Sequence, residues 1–206
     1  MTEQQRLQQY IDGARRIVFF GGAGVSTESG VPDFRSQDGL YRQAWRWPPE
    51  TILSHTFFIE HPEEFFAFYR QKMLPLSARP NPAHLALARL EQAGRLSAVI
   101  TQNIDGLHQA AGSKQVLELH GSIHRNYCVR CRRAYSAEMI LRSQGIPRCS
   151  CGGIIKPDVV LYEESLDETV LRRALDALAR ADLLIIGGTS LAVYPAAGLI
   201  SAYRGG

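Results

Sequence analysis

The stretch IVFFGGAGVSTESGVPDFRS, residues 17–36, decides the fold. Ile17-Val18-Phe19-Phe20 is short and wholly apolar, the pattern of a strand buried on both faces of a parallel sheet. A glycine-rich turn follows at once. Gly21, Gly22 and Gly24 allow a sharp turn and a close backbone approach to a phosphate. Ser26 and Thr27 add hydroxyl donors. The turn lies at the C-terminal end of its strand, where open α/β sheets place their ligands. The ordinary dinucleotide fingerprint also needs an acidic residue about 20 positions further on, after a second strand, and none is evident. The loop instead continues to Asp33-Phe34-Arg35. On this loop alone, a ligand-binding turn and a surface turn with a local salt bridge are equally good readings.

Working outward, the pattern predicts a helix over 4–14 with Leu7, Tyr10, Ile11 and Ala14 on one stripe. Further helices are predicted over 62–76, from Asn81-Pro82 to about Gly94, over 106–111, from a Ser165–Glu168 capping box to about Ala181, and near 195–203. Strands are predicted at Ser97–Thr101, Val116–His120, Ile154–Leu161 and Leu183–Ile186. The alternation implies an α/β fold, a Rossmann-like parallel sheet with helices on both faces. Two stretches break the rhythm. Residues 36–76 are aromatic-rich and helical, and residues 122–153 hold all four cysteines. They are read as insertions forming a smaller lobe, which leaves 1–35, 77–121 and 154–206 to the large domain. No internal repeat is visible.

Composition narrows the class. The chain has 206 residues, 45% hydrophobic and 21% charged, with a net charge of +3. So small an excess argues against a nucleic-acid partner. No apolar stretch approaches the roughly 18 residues of a membrane span, and the polar N-terminus is not a secretory signal. The expected compartment is the cytoplasm, where disulfides are rare.

Four further motifs carry chemistry. Thr101-Gln102-Asn103-Ile104-Asp105 closes a strand at the same sheet edge as the glycine turn. His120, in Leu117-Glu118-Leu119-His120-Gly121, alone among six histidines closes an apolar strand, and imidazole is the natural general base near neutrality. His55, His61, His84 and His108 read as surface or packing residues. Cys128-x2-Cys131 and Cys149-x-Cys151, separated by 17 residues, read as ligands of one structural zinc with no open position. His124 is left out because four thiolates already fill the shell. Gly187-Gly188-Thr189-Ser190 closes the last strand.

Taken in order, GAGVSTESGVPDFRS, TQNID, LHGS, the two cysteine pairs, KPDVVLYEE and GTSLAVYPAA resemble the sirtuin family of NAD-dependent protein deacylases, bacterial or archaeal in type, over about residues 14–203. The resemblance implies a co-substrate role for NAD, held between the two lobes. Gly22, Ala23, Gly24, Ser26, Thr27, Asp33, Phe34 and Arg35 would contact it from the first loop. Gln102, Asn103, Ile104 and Asp105 would line the nicotinamide and ribose pocket, and Gly188, Thr189 and Ser190 would meet the adenosine side. Asn103 and His120 would be catalytic, with His120 the base on a ribose hydroxyl. The products would be free lysine, nicotinamide and O-acyl-ADP-ribose. Val160-Leu161-Tyr162 would pair with an acyl-lysine peptide as an added strand. Tyr69 matches a residue of family members that take dicarboxylic acyl groups, but Lys72 stands where they carry Arg, so uncharged acyl groups are expected. Relatives continue past this end with another strand bearing an Asn, so a fragment or an impaired enzyme is expected. Rival readings are a mono-ADP-ribosyltransferase and a module that binds ADP-ribose or acyl-lysine without turnover. A monomer is expected.

Overall fold

The computed structural model describes residues 1–33, 39 and 45–205. In chain order the elements are α1 (Glu3–Gly13), β1 (Ile17–Gly21), a 3-10 turn (Ala23–Ser29), α2 (Pro49–Ile52), α3 (His55–Glu60), α4 (Pro62–Lys72), α5 (Pro82–Gln92), β2 (Leu96–Thr101) and α6 (Leu107–Ala110). There follow β3 (Val116–Glu118), β4 (Gly121–Cys128), β5 (Ala134–Tyr135), α7 (Ala137–Arg142), β6 (Ile155–Val159), α8 (Glu168–Arg180), β7 (Leu183–Gly187) and a second 3-10 turn (Ala196–Ala202).

Four strands form a parallel sheet in the order β3-β2-β1-β7, with every residue of β1 buried. The pleat sends alternate side chains to opposite faces. Val18, Phe20, Ala98 and Ile100 pack with Ala174 and Leu178 of α8 and with Ala196 and Leu199 of the second 3-10 turn. Ile17, Phe19 and Val99 pack on the other face with Leu87 of α5 and with Val25. A strand that is apolar at every position therefore serves two cores. Asn81 caps α5 through the backbone N–H groups of Ala83 and His84, with Pro82 at the first turn. In α8 the cap is Asp167, whose carboxylate accepts from the Val170 N–H at 2.9 Å, not the expected Ser165.

Only the C-terminal half of the expected apolar stripe of α1 packs: Ala14 is buried with Ile11 against it, whereas Leu7 and Tyr10 are 49% and 55% exposed. The helix is instead held by its end. The Arg95 guanidinium donates to the carbonyls of Ile11, Asp12 and Ala14, which helical bonds leave open at a C-terminus. The predicted helix over 62–76 stops at Lys72.

The larger departures lie in the second sheet. The strand expected at Val116–His120 ends at Glu118. After a two-residue turn the chain enters β4, which pairs antiparallel with β5 and β6 in the order β5-β4-β6. The alternation that marks a strand is hidden in β4, because polar Ser122 and Asn126 fill buried positions and the register with β6 breaks between them. The strand expected at 154–161 suggests a return to the parallel sheet, but Ile155–Val159, with Lys156 and Asp158 at its half-buried positions, pairs with β4. Ile155, Val159 and Leu161 pack with Phe57, Phe58, Phe65 and Phe66 of the helical insertion and with Ile123 and Ile140. The boundary drawn at 153/154 therefore falls inside this second layer, which draws one core from both insertions.

Candidate active site

The ends of β1, β2 and β7 are stitched together. Gly22 N–H donates to Gly187 O at 3.2 Å, Gly24 N–H to Gly188 O at 2.8 Å, and Gln102 N–H to Gly21 O at 3.0 Å. The Gln102 amide reaches the Thr189 hydroxyl at 3.1 Å. A Cβ on Gly22 would lie 2.8 Å from Thr189 Cβ, and one on Gly24 would lie 2.9 Å from Gly188 Cα. These glycines thus permit two turns more than 160 residues apart in sequence to touch, a role that reading the loop by itself does not reveal.

Beneath the turns lies a buried polar network. The Ser26 hydroxyl donates to Asp105 Oδ2 at 2.7 Å and accepts from Asn103 Nδ2 at 3.1 Å. Asp105 Oδ1 accepts from Leu107 N–H at 2.9 Å, and Asn103 N–H donates to the Thr101 hydroxyl at 3.0 Å. His84 Nε2 stands 3.5 Å from Ser26 Oγ. Burial lowers the His84 pKa, against the opposing pull of Asp105. Serine, histidine and aspartate meet here without forming a nucleophilic relay, because the carboxylate bonds the serine and not the imidazole. His108 packs edge-on against His84, and among the described residues neither of its ring nitrogens has a partner. Burial, aided by His84, pushes its pKa down to about 3.

His120 occupies the turn between β3 and β4. Its Nδ1 lies 2.9 Å from Gln102 O. A carbonyl only accepts, so Nδ1 carries the hydrogen and Nε2 keeps its lone pair. Among the described residues Nε2 has no protein partner. Burial lowers the pKa of this imidazole below its usual value, with the Gln102 bond opposing. The ring is therefore neutral at pH 7 and able to take a proton.

A cavity of about 340 Å³ opens above these groups. From the predicted set it is lined by Gly22, Ala23, Gly24, Ser26 and Asp33, by Gln102–Asp105, by His120, by Val160–Tyr162 and by Gly188–Ser190. Thr27 is exposed, bonds Gly24 O, and does not line it. Phe34 and Arg35 lie outside the described residues. Lys72, which the resemblance ties to acyl selection, also lines the cavity, whereas the walls contributed by Leu53 and Met73 and by Val193–Pro195 are not foreseen from sequence. His84 was assigned to packing or surface, although Asn81-Pro82-x-His84 carries a capping-box spacing that could have tied it to a helix start.

The segment Val160–Tyr162 spends its N–H groups internally. Val160 donates to His120 O at 3.0 Å, Leu161 to Glu164 Oε2 at 2.9 Å, and Tyr162 to Leu53 O at 2.9 Å. Two of its carbonyls are engaged as well: Leu161 O accepts from Glu164 N–H and Tyr162 O from His55 N–H, each at 3.0 Å.

The sulfurs of Cys128, Cys131, Cys149 and Cys151 all lie within 4.8 Å of one another, and all four thiols are free. Separations of 3.4 Å for Cys128–Cys151 and 3.6 Å for Cys131–Cys149 are far too long for disulfides. They approach the roughly 3.8 Å between sulfurs that Zn–S bonds of about 2.3 Å impose in a tetrahedron. The four cysteines are positioned to bind a structural zinc. His124 is not among them; its ring bonds Asp105 O at 2.9 Å.

Residues 22–195 match the model of the Sir2 family. A Clostridium perfringens protein named NAD-dependent protein deacetylase is 60% identical over 96% of this chain and 82% of its own length. The Thermotoga maritima protein of the same name is 44% identical over 94% of this chain and 80% of its own. A solved structure described as Sir2 with a p53 peptide and NAD+ superposes with a TM-score of 0.87 at 43% identity, covering 98% of this chain and 82% of that one. With its parallel sheet, cysteine cluster and lined cavity in place, this chain belongs to the Sir2 family, the sirtuins.

Proposed function

We propose that this chain is an NAD-dependent protein-lysine deacetylase that moves the acyl group from lysine to ADP-ribose and releases nicotinamide. The carrying observation is the placement of His120. A neutral imidazole, its Nδ1–H fixed on Gln102 O, sits on the wall of a cavity shared with the glycine turn, Asn103–Asp105 and the Val160–Tyr162 segment. Relatives named for this activity, and Sir2 structures containing peptide and NAD+, support the reading.

The cavity wall suits a dinucleotide. Gly22, Ala23, Gly24 and Gly188 line the cavity beside the turns, and Thr189 and Ser190 offer hydroxyls for the adenosine side. Asp33, on the cavity wall, with Phe34 and Arg35 after it, would complete the first loop's part in holding the dinucleotide, and Thr27 would act on that loop through its bond to Gly24 O. When bound, NAD would supply the ADP-ribosyl acceptor for the acyl group. Gln102, Asn103, Ile104 and Asp105 would hold the nicotinamide and ribose end. Ser26, with its hydroxyl committed to Asp105 and Asn103, orients these two side chains. His120 would take a proton from a ribose hydroxyl, and Val160, Leu161 and Tyr162 would meet the peptide. Lys72 lines the cavity, whereas Tyr69 is fully buried against Phe65. A lone lysine lacks the two-pronged grip of arginine on a carboxylate, which favours acetyl and other uncharged acyl groups. Free thiols and a monomeric cytoplasmic chain belong to the same reading, and no described helix is long and apolar enough to cross a membrane.

The test follows an acetyl label on a lysine peptide incubated with NAD. Label recovered on ADP-ribose supports the proposal. ADP-ribose attached to protein with the peptide still acetylated would make the chain a transferase, and binding of both without turnover would make it a binding module.

A further inference from the structure

Residues 123–125 form a bulge in β4. Ser122 pairs with Asp158 and Asn126 with Pro157, so three residues of β4 face no partner between two consecutive residues of β6. Bulges of this kind re-aim side chains and recur beside active sites. Here each residue of the bulge reaches out to a different part of the site. Ile123 N–H donates to Ile104 O at 3.0 Å, and His124 Nε2 meets Asp105 O at 2.9 Å. Arg125 forks between two carboxylates: Nη1 lies 2.7 Å from Glu118 Oε2, and Nε lies 2.8 Å from Asp158 Oδ2.

The two carboxylates come from different sheets. Glu118 ends β3, two residues before His120, and Asp158 lies in β6, two residues before Val160. The Glu118 side chain is only 9% exposed, so its charge depends on this partner. The backbone offers little else at the crossing. Val160 N–H bonds His120 O, and Gly121 pairs with Val159 at a point where a Cβ would lie 1.9 Å from Asp158 O. The ladder pairs Gly121 and Ser122 with Val159 and Asp158, breaks over residues 123–125 and resumes at Asn126–Cys128; across that break the rigid planar fork of the guanidinium ties the two carboxylates together.

We propose that Arg125 is a positioning residue of the deacetylation: its paired contacts to Glu118 and Asp158 set the bulge, and thereby the placement of His120 relative to the peptide-facing segment Val160–Tyr162. This rests on the functional reading above.

The test compares wild type with R125M, R125K and the double variant E118Q/R125M, which removes the cation without stranding a buried carboxylate. The readouts are kcat and KM for an acetyl-lysine peptide, KM for NAD, and the thermal midpoint. The double variant should keep its thermal midpoint within a few degrees and its KM for NAD within about twofold, while kcat/KM for the peptide falls by about ten- to a hundredfold, as small misplacements of reacting groups do. R125K should recover part of that loss. Undiminished peptide turnover by the double variant would overturn the inference alone, as would a loss spread equally over NAD and peptide parameters with a collapsed thermal midpoint. A wild-type chain unable to deacetylate with NAD would overturn the functional reading itself, and this inference with it.

Discussion

The two halves of the site are held by different physics. On the β1–β7 side, glycine turns touch backbone to backbone, and two apolar cores clamp the strands from both faces. On the β4–β6 side, the ladder is broken by a bulge, a buried carboxylate needs Arg125, and the far end closes on four cysteines. The first half is packed from its own apolar side chains. The second also has an apolar core, shared with the helical insertion, but it relies in addition on charges and on a metal at the four cysteines, and should fail first when these are removed.

Zinc removal should therefore have the largest effect. Metal binding supplies folding free energy where a segment cannot bury enough of its own, so a strong chelator, or Cys128→Ser, should abolish turnover and unfold the cysteine-bearing segment. Circular dichroism and limited proteolysis should show the parallel-sheet residues surviving. An unchanged spectrum and full activity after chelation would break the comparison. Gly121→Ala comes next. It puts a Cβ against Asp158 O in a left-handed backbone (φ +76°) and should cost on the order of 4 kcal/mol in denaturant melts; a cost below about 1 kcal/mol would mean the crossing is not tight.

The parallel-sheet half has its own weak point in acid. His108 is neutral and buried, with a folded pKa of about 3 against an ordinary 6.5. Between those values the unfolded chain binds more protons, so stability is full above pH 6.5 and declines as pH falls towards 3. By pH 4 the loss from this group should be about 3 kcal/mol, with His84 and His120 acting in the same direction. His108→Phe should flatten the decline in thermal midpoint between pH 6.5 and 4, and an unchanged slope would remove His108 from the account. The smallest expected effect is that of Ser26→Ala, about 1–2 kcal/mol from leaving Asn103 and Asp105 without a buried partner, seen as a lower denaturant midpoint with a larger fall in turnover.

The same contrast explains what could be read in advance. β1 and the start of α5 are legible because local residue types dictate them, an all-apolar strand and a capping Asn81 before Pro82; His120 stands out as the histidine that closes an apolar strand, whereas the glycine turn and TQNID gain their role only from the ordered set of motifs. The cysteines are legible because ligand chemistry restricts the residue type and spacing. The bulged strand is not, since Ser122 and Asn126 occupy buried positions that a hydrophobic pattern assigns to solvent. The partner of β6 is not, because the alternation of buried and half-buried residues in Ile155–Val159 marks a strand without saying which strand lies beside it. The packing of Gly22 and Gly24 on Gly188 depends on a contact that only the folded chain creates.

The central claim is that His120 serves as the base in an NAD-consuming reaction at this cavity. Mass spectrometry of an acetyl-lysine peptide, with and without NAD, for the wild-type chain and for His120→Ala tests it most directly. The account predicts loss of the acetyl group only with NAD and only with His120 present. Deacetylation without NAD, or undiminished turnover by the variant, would contradict it.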